Sequence, residues 1–199
     1  MSQAGGGSEE VSGVVSEGTA LFDTAIGRVG ISWRGSTVSA VQIPEHSDAA
    51  TLTRLASASA STDPDGPRPA PPPPVIEQAM AAITALLDGA QTDLAFIELD
   101  LHPNRFGSFE RAVYHITRAI EPGESLTYGE VAKRLGDPGA ARAVGRALGA
   151  NPFPIVIPCH RVLGADGHLT GFSANGGIET KRRMLLIEGC PAVPPSLFD

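Results

Sequence analysis

The sequence has little cysteine and no long apolar run, and these absences narrow the functions that it can serve. Its 199 residues include two cysteines, Cys159 and Cys190, which are too few for a disulfide framework. Neither has the nearby second cysteine that a zinc or thioredoxin-like redox site needs. No apolar run approaches the roughly 20 residues that cross a bilayer, and the small, acidic first residues do not resemble a secretory signal. We therefore expect no metal site, no membrane partner and a reducing compartment, the cytoplasm.

Positive charge is also scarce, but unevenly so. The 15 Lys and Arg against 22 Asp and Glu give a net charge of −7, which taken alone argues against a nucleic-acid partner. Residues 1–104 carry 4 basic and 13 acidic side chains, a balance of −9, whereas residues 105–199 carry 11 basic and 9 acidic, a balance of +2. Any polyanion is therefore expected to meet the second half of the chain.

The chain length allows one domain or two small ones. Composition predicts a disordered tail over 1–18, an N-terminal domain over 19–104, a C-terminal domain over 105–190 and a second tail over 191–199. We expect a flexible loop with polyproline II character at 57–74, where serine and proline dominate.

Within the N-terminal part, apolar segments separated by turn residues between Thr19 and Ile43 predict a small antiparallel meander. Helical spacing of apolar residues follows over Ile76–Leu87, and Leu94–Ile97 predicts one more strand.

Three helices are predicted in the second half: Phe109–Ile120, Tyr128–Leu135 and Ala140–Leu148. Thr127 with Glu130 three positions later predicts a capping box before the second helix. The second and third helices, joined by a tight Gly/Pro turn, are compatible with a helix-turn-helix and equally with an ordinary αα-hairpin. Arg142 and Arg146 lie four positions apart on the third helix, and they are likewise compatible with an ordinary solvent-exposed helix face.

The strongest chemical signal surrounds Cys159. Three β-branched residues, Ile155–Ile157, followed by Pro158, predict a buried strand that ends at this cysteine. Since the thiolate is the nucleophilic form, His160 and Arg161 beside it favour a reactive cysteine. A core cysteine is the alternative, because neighbours on a strand point to opposite faces.

The second half resembles the C-terminal domain of the O6-alkylguanine-DNA alkyltransferases, with the PCHRV sequence at 158–162 as its most specific motif. The other matching positions are 127–132, 136–138, 141–147, 151–152, 157, 167, 169, 171–172, 181, 185–186 and 188–189. The order of the N-terminal elements is similar to that of the family's ribonuclease-H-like domain. The resemblance implies a mixed α/β (α+β) fold, with a small antiparallel sheet domain and a helical domain that holds a winged-helix-like helix-turn-helix and the active-site cysteine.

The resemblance implies direct DNA repair by a suicidal methyltransferase. A methyl or small alkyl group would pass in a single turnover from O6 of guanine, and also from O4 of thymine, to Cys159, with base flipping. The implied partner is double-stranded DNA that contains O6-alkylguanine, bound by a monomer in the prokaryotic cytoplasm or nucleoid. No cofactor, metal or methyl donor is implied.

The family's functional residues can be carried over by motif. His160 would act as the base through a water, Glu188 would orient it, and Asn151 would tie the preceding turn to the domain. Tyr128 would contact the guanine and help to neutralise it. The remaining pocket residues would be Val162, Phe172 and Ser173.

The DNA contacts implied by the resemblance lie mainly on the third helix. Arg142 would enter the base stack in place of the flipped nucleotide, and small residues would let the helix approach the minor groove closely. The implied contact residues are Thr127, Ala141, Arg142, Ala143, Gly145, Arg146 and Arg161.

Some positions depart from the family's pattern. Glu110 and Tyr114 stand where the family usually has glutamine and tryptophan, and Phe172 replaces a common tyrosine. The family also has relatives that bind alkylated DNA without a reactive cysteine, and regulators that carry an additional cysteine-rich zinc domain. A sensor, a regulator and an unreactive helix-turn-helix module are therefore the alternatives to repair.

Overall fold

The N-terminal half is built on a three-stranded antiparallel sheet. In this computed structural model, which describes residues 16–61, 63 and 66–193, the strands are β1 (Glu17–Thr24), β2 (Gly27–Arg34) and β3 (Thr37–Gln42), in the order β1-β2-β3. The predicted meander is thus confirmed. Because β1 begins at Glu17, the predicted tail over 1–18 is wrong for its last two residues, and residues 1–15 lie outside the described part.

Two helices cover this sheet. The first, α1 (Asp48–Ser59), begins where the Ser47 side chain accepts a hydrogen bond from the Ala50 amide, and it packs on β2 and β3. The second, α2 (Pro74–Leu87), confirms the predicted helix and begins two residues earlier than expected. The sequence pattern missed α1, and its last three residues, Ser57–Ser59, were wrongly placed in the flexible loop.

The described part of the proline-rich segment is bound to the edge of β1. The Thr19 amide donates to the Arg68 carbonyl at 3.0 Å, and the Ala70 amide donates to the Thr19 carbonyl at 3.3 Å. Prolines lack an amide hydrogen, so a proline-rich segment of this kind can itself lie only at the edge of a sheet. The flexible loop predicted over 57–74 is therefore wrong for these residues.

Residues Leu94–Ile97 form a turn, so the strand predicted there is wrong. The Arg118 guanidinium donates hydrogen bonds to the Leu94 and Ile97 carbonyls at 3.0 and 2.6 Å. These two bonds hold the segment in the turn conformation. The chain pairs with the sheet just after this turn, where Leu99 forms a parallel bridge with Val38. The Val38 amide donates to the Glu98 carbonyl, and the Val38 carbonyl accepts from the Asp100 amide.

The second half is mainly helical. Its helices are α3 (Ser108–Arg118), α4 (Tyr128–Arg134), α5 (Ala141–Gly149) and α6 (Gly177–Ile187), and its two short parallel strands are β4 (Leu126–Thr127) and β5 (Val162–Leu163). The three predicted helices are present, each with ends that differ by at most two residues. Buried apolar side chains of both halves, among them Trp33, Ile83, Val113 and Phe153, belong to one core. Among the described residues, no helix is long and apolar enough to cross a membrane.

The segment before Cys159 is a series of turns, so the strand predicted over Ile155–Ile157 is wrong. Prolines at 152, 154 and 158 cannot donate to a strand ladder. Ile155 has φ +76°, a conformation that β-branched residues rarely adopt, and the Ile157 amide donates to the Phe153 carbonyl at 2.8 Å. The predicted burial is nevertheless present, since all three side chains are at most 2% exposed.

Candidate active site

Cys159 lies at the wall of a cleft of about 510 Å³ that both halves of the chain line. The cysteine opens a short 3₁₀ turn, Cys159–Arg161, and is 9% exposed. The N-terminal half contributes side chains from the end of β3 and from α1, among them Arg54. The C-terminal half contributes the end of α5 and the segment 172–174. A cysteine that borders a cleft can meet a substrate, which a cysteine enclosed in the core cannot.

His160, Glu188 and Arg161 form a buried ionic network next to this cysteine. His160 Nε2 lies 2.9 Å from Glu188 Oε1. The Arg161 guanidinium donates from Nε to Glu188 Oε2 at 2.9 Å and from Nη2 to Oε1 at 2.8 Å. His160 is fully buried, and its Nδ1 has no hydrogen-bond partner among the described residues. The pair of His160 and Glu188 implied by the resemblance is therefore in hydrogen-bonding contact.

The assignment of Arg161 to the DNA-contact set is wrong. The residue is 4% exposed, and its third group, Nη1, donates to the Ile120 carbonyl at 2.6 Å. The hydrogen bonds to Glu188 and Ile120 direct the guanidinium into the protein, because a buried charge has to be paired.

The pKa values follow from burial and from this pairing. Burial raises the pKa of the Cys159 thiol, and a hydrogen bond from Asn151 and the charge of Lys181 oppose the rise. Burial lowers the pKa of His160, with Glu188 opposing. Burial would raise the pKa of Glu188, but His160 and Arg161 together outweigh it and lower that pKa to about 2. At neutral pH the resting site therefore holds a thiol, a neutral imidazole and a carboxylate.

Asn151 holds the turn that leads to Cys159. Its Nδ2 donates to the Ile157 carbonyl at 2.9 Å, and its Oδ1 accepts from the Phe153 amide at 2.9 Å. Both bonds lie within the strained segment around Ile155 and compensate for ladder bonds that prolines cannot make. The arrangement agrees with the tie that the resemblance assigns to this asparagine.

Lys181 is a site residue that the sequence reasoning left without a role. It is fully buried on α6, and its Nζ donates to the Val162 carbonyl at 2.6 Å and lies 5.9 Å from the centre of the Tyr128 ring. Burial lowers the pKa of Lys181 to about 8, and the charge of Cys159 opposes this. The burial of Lys181 could have been predicted from its spacing. It lies three and four residues before the apolar Met184 and Leu185, and this spacing is typical of the inner face of a helix.

Tyr128 is the first residue of α4 and lies against α5. Thr127 caps this helix: its hydroxyl accepts from the Glu130 amide at 3.1 Å, and the Glu130 carboxylate accepts from the Thr127 amide at 2.6 Å, which confirms the predicted capping box. Gly145 on α5 faces the Tyr128 ring, and a Cβ there would lie at an ordinary van der Waals distance of 3.7 Å from it. Burial raises the pKa of Tyr128, which keeps its hydroxyl protonated.

The remaining predicted residues divide into two groups. Phe172 and Ser173 line the cleft, whereas Val162 is fully buried and its carbonyl already accepts from Lys181. On α5, the Arg142 and Arg146 side chains are exposed, and the small residues between them, Ala143 and Gly145, are half-buried, as is Ala141 at the start of the helix. Whether α4 and α5 act as a DNA-binding helix-turn-helix stays a prediction.

Tyr114, one of the departures from the family's pattern, and Cys190, which has no assigned role, both have buried structural positions. Tyr114 is 1% exposed, and its hydroxyl donates to the Ala147 carbonyl on α5 at 3.2 Å, so it joins α3 to α5. Cys190 is 3% exposed in a small apolar cluster with Leu163 and Leu185. In the part of the chain that the structure describes, no group of three His, Cys, Asp or Glu side chains could hold a metal ion.

Comparisons with known proteins give similarities over both halves. Residues 108–190 match the family model described as 6-O-methylguanine DNA methyltransferase, DNA binding domain. A methylated-DNA--protein-cysteine methyltransferase of Mycolicibacterium paratuberculosis is 51% identical over 92 residues, which are 46% of this chain and 53% of that protein. One of the same name from Mycobacterium bovis is 44% identical over 122 residues, 61% of this chain and 70% of that protein. The chain thus spans about half the length of the first of these curated relatives and more than two thirds of the second.

Solved structures extend the similarity to nearly the whole chain. The crystal structure of a Mycobacterium tuberculosis O6-methylguanine methyltransferase has a TM-score of 0.68 at 33% identity and covers 92% of this chain and 99% of that one. A Mycobacterium tuberculosis OGT in complex with DNA has a TM-score of 0.69 at 34% identity and covers 91% and 99%. The mixed α/β fold implied by the resemblance is confirmed.

Proposed function

This chain belongs to the 6-O-methylguanine DNA methyltransferase family, and from that premise we propose that it repairs DNA directly and is consumed by doing so. A methyl or small alkyl group moves from O6 of guanine, or O4 of thymine, to the sulfur of Cys159. The observation that carries the proposal is the position of Cys159, at the wall of a cleft and beside a neutral histidine that an ionised Glu188 holds. Because a thioether is not hydrolysed under cellular conditions, each molecule acts once.

The reaction needs a thiolate, which the resting site does not hold. The Cys159 thiol passes its proton to His160 Nδ1 through a water, and Glu188 stabilises the imidazolium that forms. The unpartnered Nδ1 supports this route, since it is the ring atom free to accept a proton. The thiolate then attacks the alkyl carbon. As the C–S bond forms and the bond from carbon to O6 breaks, the electron pair of that bond stays on the guanine.

Tyr128 and Lys181 support the departing base. The Tyr128 hydroxyl, kept protonated by burial, donates to the guanine as negative charge develops there. The Lys181 ammonium lies 5.9 Å from the centre of the Tyr128 ring and adds positive charge close to the Cys159 thiolate. Phe172 and Ser173 flank the alkyl group in the cleft.

DNA binding requires that the damaged base leave the stack, at a cost of a few kcal/mol. The exposed Arg142 fills the vacated position, and Arg146 contacts phosphate. Thr127 at the start of α4 and Ala141, Ala143 and Gly145 on α5 lie at the minor groove, where small side chains permit close approach. Because the compared relatives are bacterial and the proposed substrate is DNA, we propose that the protein acts in the prokaryotic cytoplasm or nucleoid.

A mass measurement tests the transfer. The protein is incubated with a duplex that contains O6-methylguanine, digested, and the peptide that bears Cys159 is weighed. We expect a gain of one methyl group per protein molecule, absent in Cys159→Ala. Tight binding to the damaged duplex with an unmodified peptide would contradict repair and indicate the sensor function instead.

A further inference from the structure

The Arg161 guanidinium has no part in the mechanism above, although it lies within the buried network. Its Nε and Nη2 donate to the two oxygens of Glu188 at 2.9 and 2.8 Å, and Nη1 donates to the Ile120 carbonyl at 2.6 Å. A guanidinium that donates to both oxygens of a carboxylate fixes the orientation of the carboxylate and favours its ionised form. Glu188 therefore presents Oε1 to His160 in one defined position.

Glu188 raises the pKa of the buried His160 and so acts against the effect of burial, which keeps the ring neutral. A carboxylate 2.9 Å from a ring nitrogen stabilises the protonated ring and raises its pKa. An imidazolium cannot accept a proton from Cys159, so a ring protonated at neutral pH would block the first step. A second positive charge against the same carboxylate opposes the effect of Glu188 and acts in the same direction as burial.

The charged groups around His160 fit this account. Besides the adjacent Cys159, the ionisable side chains that act on the ring are Lys181 from α6, Glu188 directly after the end of α6, and Arg161 from the same 3₁₀ turn. Burial lowers the pKa of His160, Glu188 raises it, and Arg161 and Lys181 lower it further. Lys181 donates to a backbone carbonyl, whereas Arg161 alone of these groups contacts Glu188 as well.

We propose that Arg161 is a positioning residue that orients Glu188 and offsets its charge, so that His160 stays neutral and keeps Nδ1 free to accept the Cys159 proton. The inference rests on the proposed function and deepens it. Nε2 faces an ionised carboxylate oxygen and therefore carries the ring hydrogen, which leaves the lone pair on Nδ1. The arginine that the sequence placed at the DNA thus acts on proton transfer.

Two measurements on the full chain, neither of which uses DNA, test the inference. Nuclear magnetic resonance of the wild-type imidazole should show a neutral His160 with hydrogen on Nε2 at neutral pH. The rate of Cys159 alkylation by iodoacetamide is then followed against pH. Because His160 accepts a proton only above its own pKa, loss of the arginine charge should move the acid limb to higher pH, by about one unit or more for a partner at this distance.

The informative variant is Arg161→Gln, which retains a hydrogen-bond donor but loses the charge. Arg161→Lys retains the charge without the two parallel hydrogen bonds, so the midpoint of its acid limb should lie close to that of the wild type. Arg28→Met on β2 is the matched control, since its ion pairs are largely exposed, and it should leave the profile unchanged. Circular dichroism confirms that each variant is folded.

An unchanged midpoint in folded Arg161→Gln would overturn the inference. If that variant does not fold, the wild-type spectrum decides, because an imidazolium at neutral pH is incompatible with the role. A protein that meets both expectations yet takes no methyl group from DNA would contradict the proposed function and leave the role of Arg161 standing.

Discussion

Lys181 is a buried cation close to Cys159, the proposed nucleophile, and its ammonium donates to a backbone carbonyl and not to a carboxylate. Its pKa is lowered to about 8, so the folded protein releases a proton that the unfolded chain would retain until its ordinary pKa near 10.4. Between these two values the unfolded state binds more protons, and the contribution of Lys181 to stability therefore rises with pH. Below pH 8 its buried charge opposes folding.

Replacement of this lysine should separate stability from reactivity. We expect Lys181→Met to be more stable than the wild type at neutral pH, because a chain of similar length fills the space without a buried charge. A gain of about 1 kcal/mol would raise Tm by about 2–4 °C. The same variant should alkylate at Cys159 more slowly, since the thiolate loses a nearby positive charge. Thermal unfolding and iodoacetamide kinetics measure the two effects, and a less stable or equally reactive variant would contradict this account.

At the level of secondary structure, helix α5 has one buried face that packs in the core and one face that is exposed to solvent. Val144, Ala147 and Leu148 are buried against the domain, whereas Arg142 and Arg146 are exposed. The helix is held by Tyr114 from α3, whose hydroxyl donates to the Ala147 carbonyl. The exposed arginines are thus carried on a helix that is fixed relative to Cys159.

Arg142→Ala tests the task of the solvent face. Alkyl transfer from a free O6-alkylguanine base should be unchanged, because that substrate needs no extrusion. Transfer from a methylated duplex should fall several-fold or more, since the side chain that fills the vacated stack is lost. Single-turnover rates on the two substrates provide the comparison. Equal losses on both would show that Arg142 acts on the chemistry or on the fold and not on base flipping.

At the scale of the whole molecule, the negative net charge is compatible with the proposed DNA substrate because the acidic residues and the proposed DNA-binding helices lie in different halves of the chain. The acidic excess lies in residues 1–104, and the half that holds α4 and α5 is net positive. Arg161 and Lys181 are buried, so they do not contribute to binding phosphates. On α4 and α5 the exposed basic side chains are Lys133, Arg134, Arg142 and Arg146.

The salt dependence of DNA binding follows from this count. Each phosphate neutralised on B-DNA contributes about −0.9 to the slope of log K against log salt concentration, so four exposed cations predict a slope of about −4 or shallower. Fluorescence anisotropy with an undamaged duplex measures it. Lys133→Gln with Arg134→Gln should make the slope shallower by up to about two units if both reach phosphate. A wild-type slope much steeper than −4 would mean that other cations take part.

The family and the locally encoded elements could be predicted from the sequence alone. The PCHRV motif indicates the family, and the capping box of Thr127 and Glu130 and the meander depend on residues a few positions apart; these predictions are confirmed, whereas Cys159 as the nucleophile stays a prediction. Tertiary structure decided the direction of Arg161, whose partner Glu188 is 27 positions away, and the burial of Lys181. It also decided the turns at Leu94–Ile97 and Ile155–Ile157, where bonds from Arg118 and Asn151 outweigh local strand preference. Buried charges and bent backbone take the partners that the folded chain places beside them, and those partners cannot be identified from neighbouring sequence.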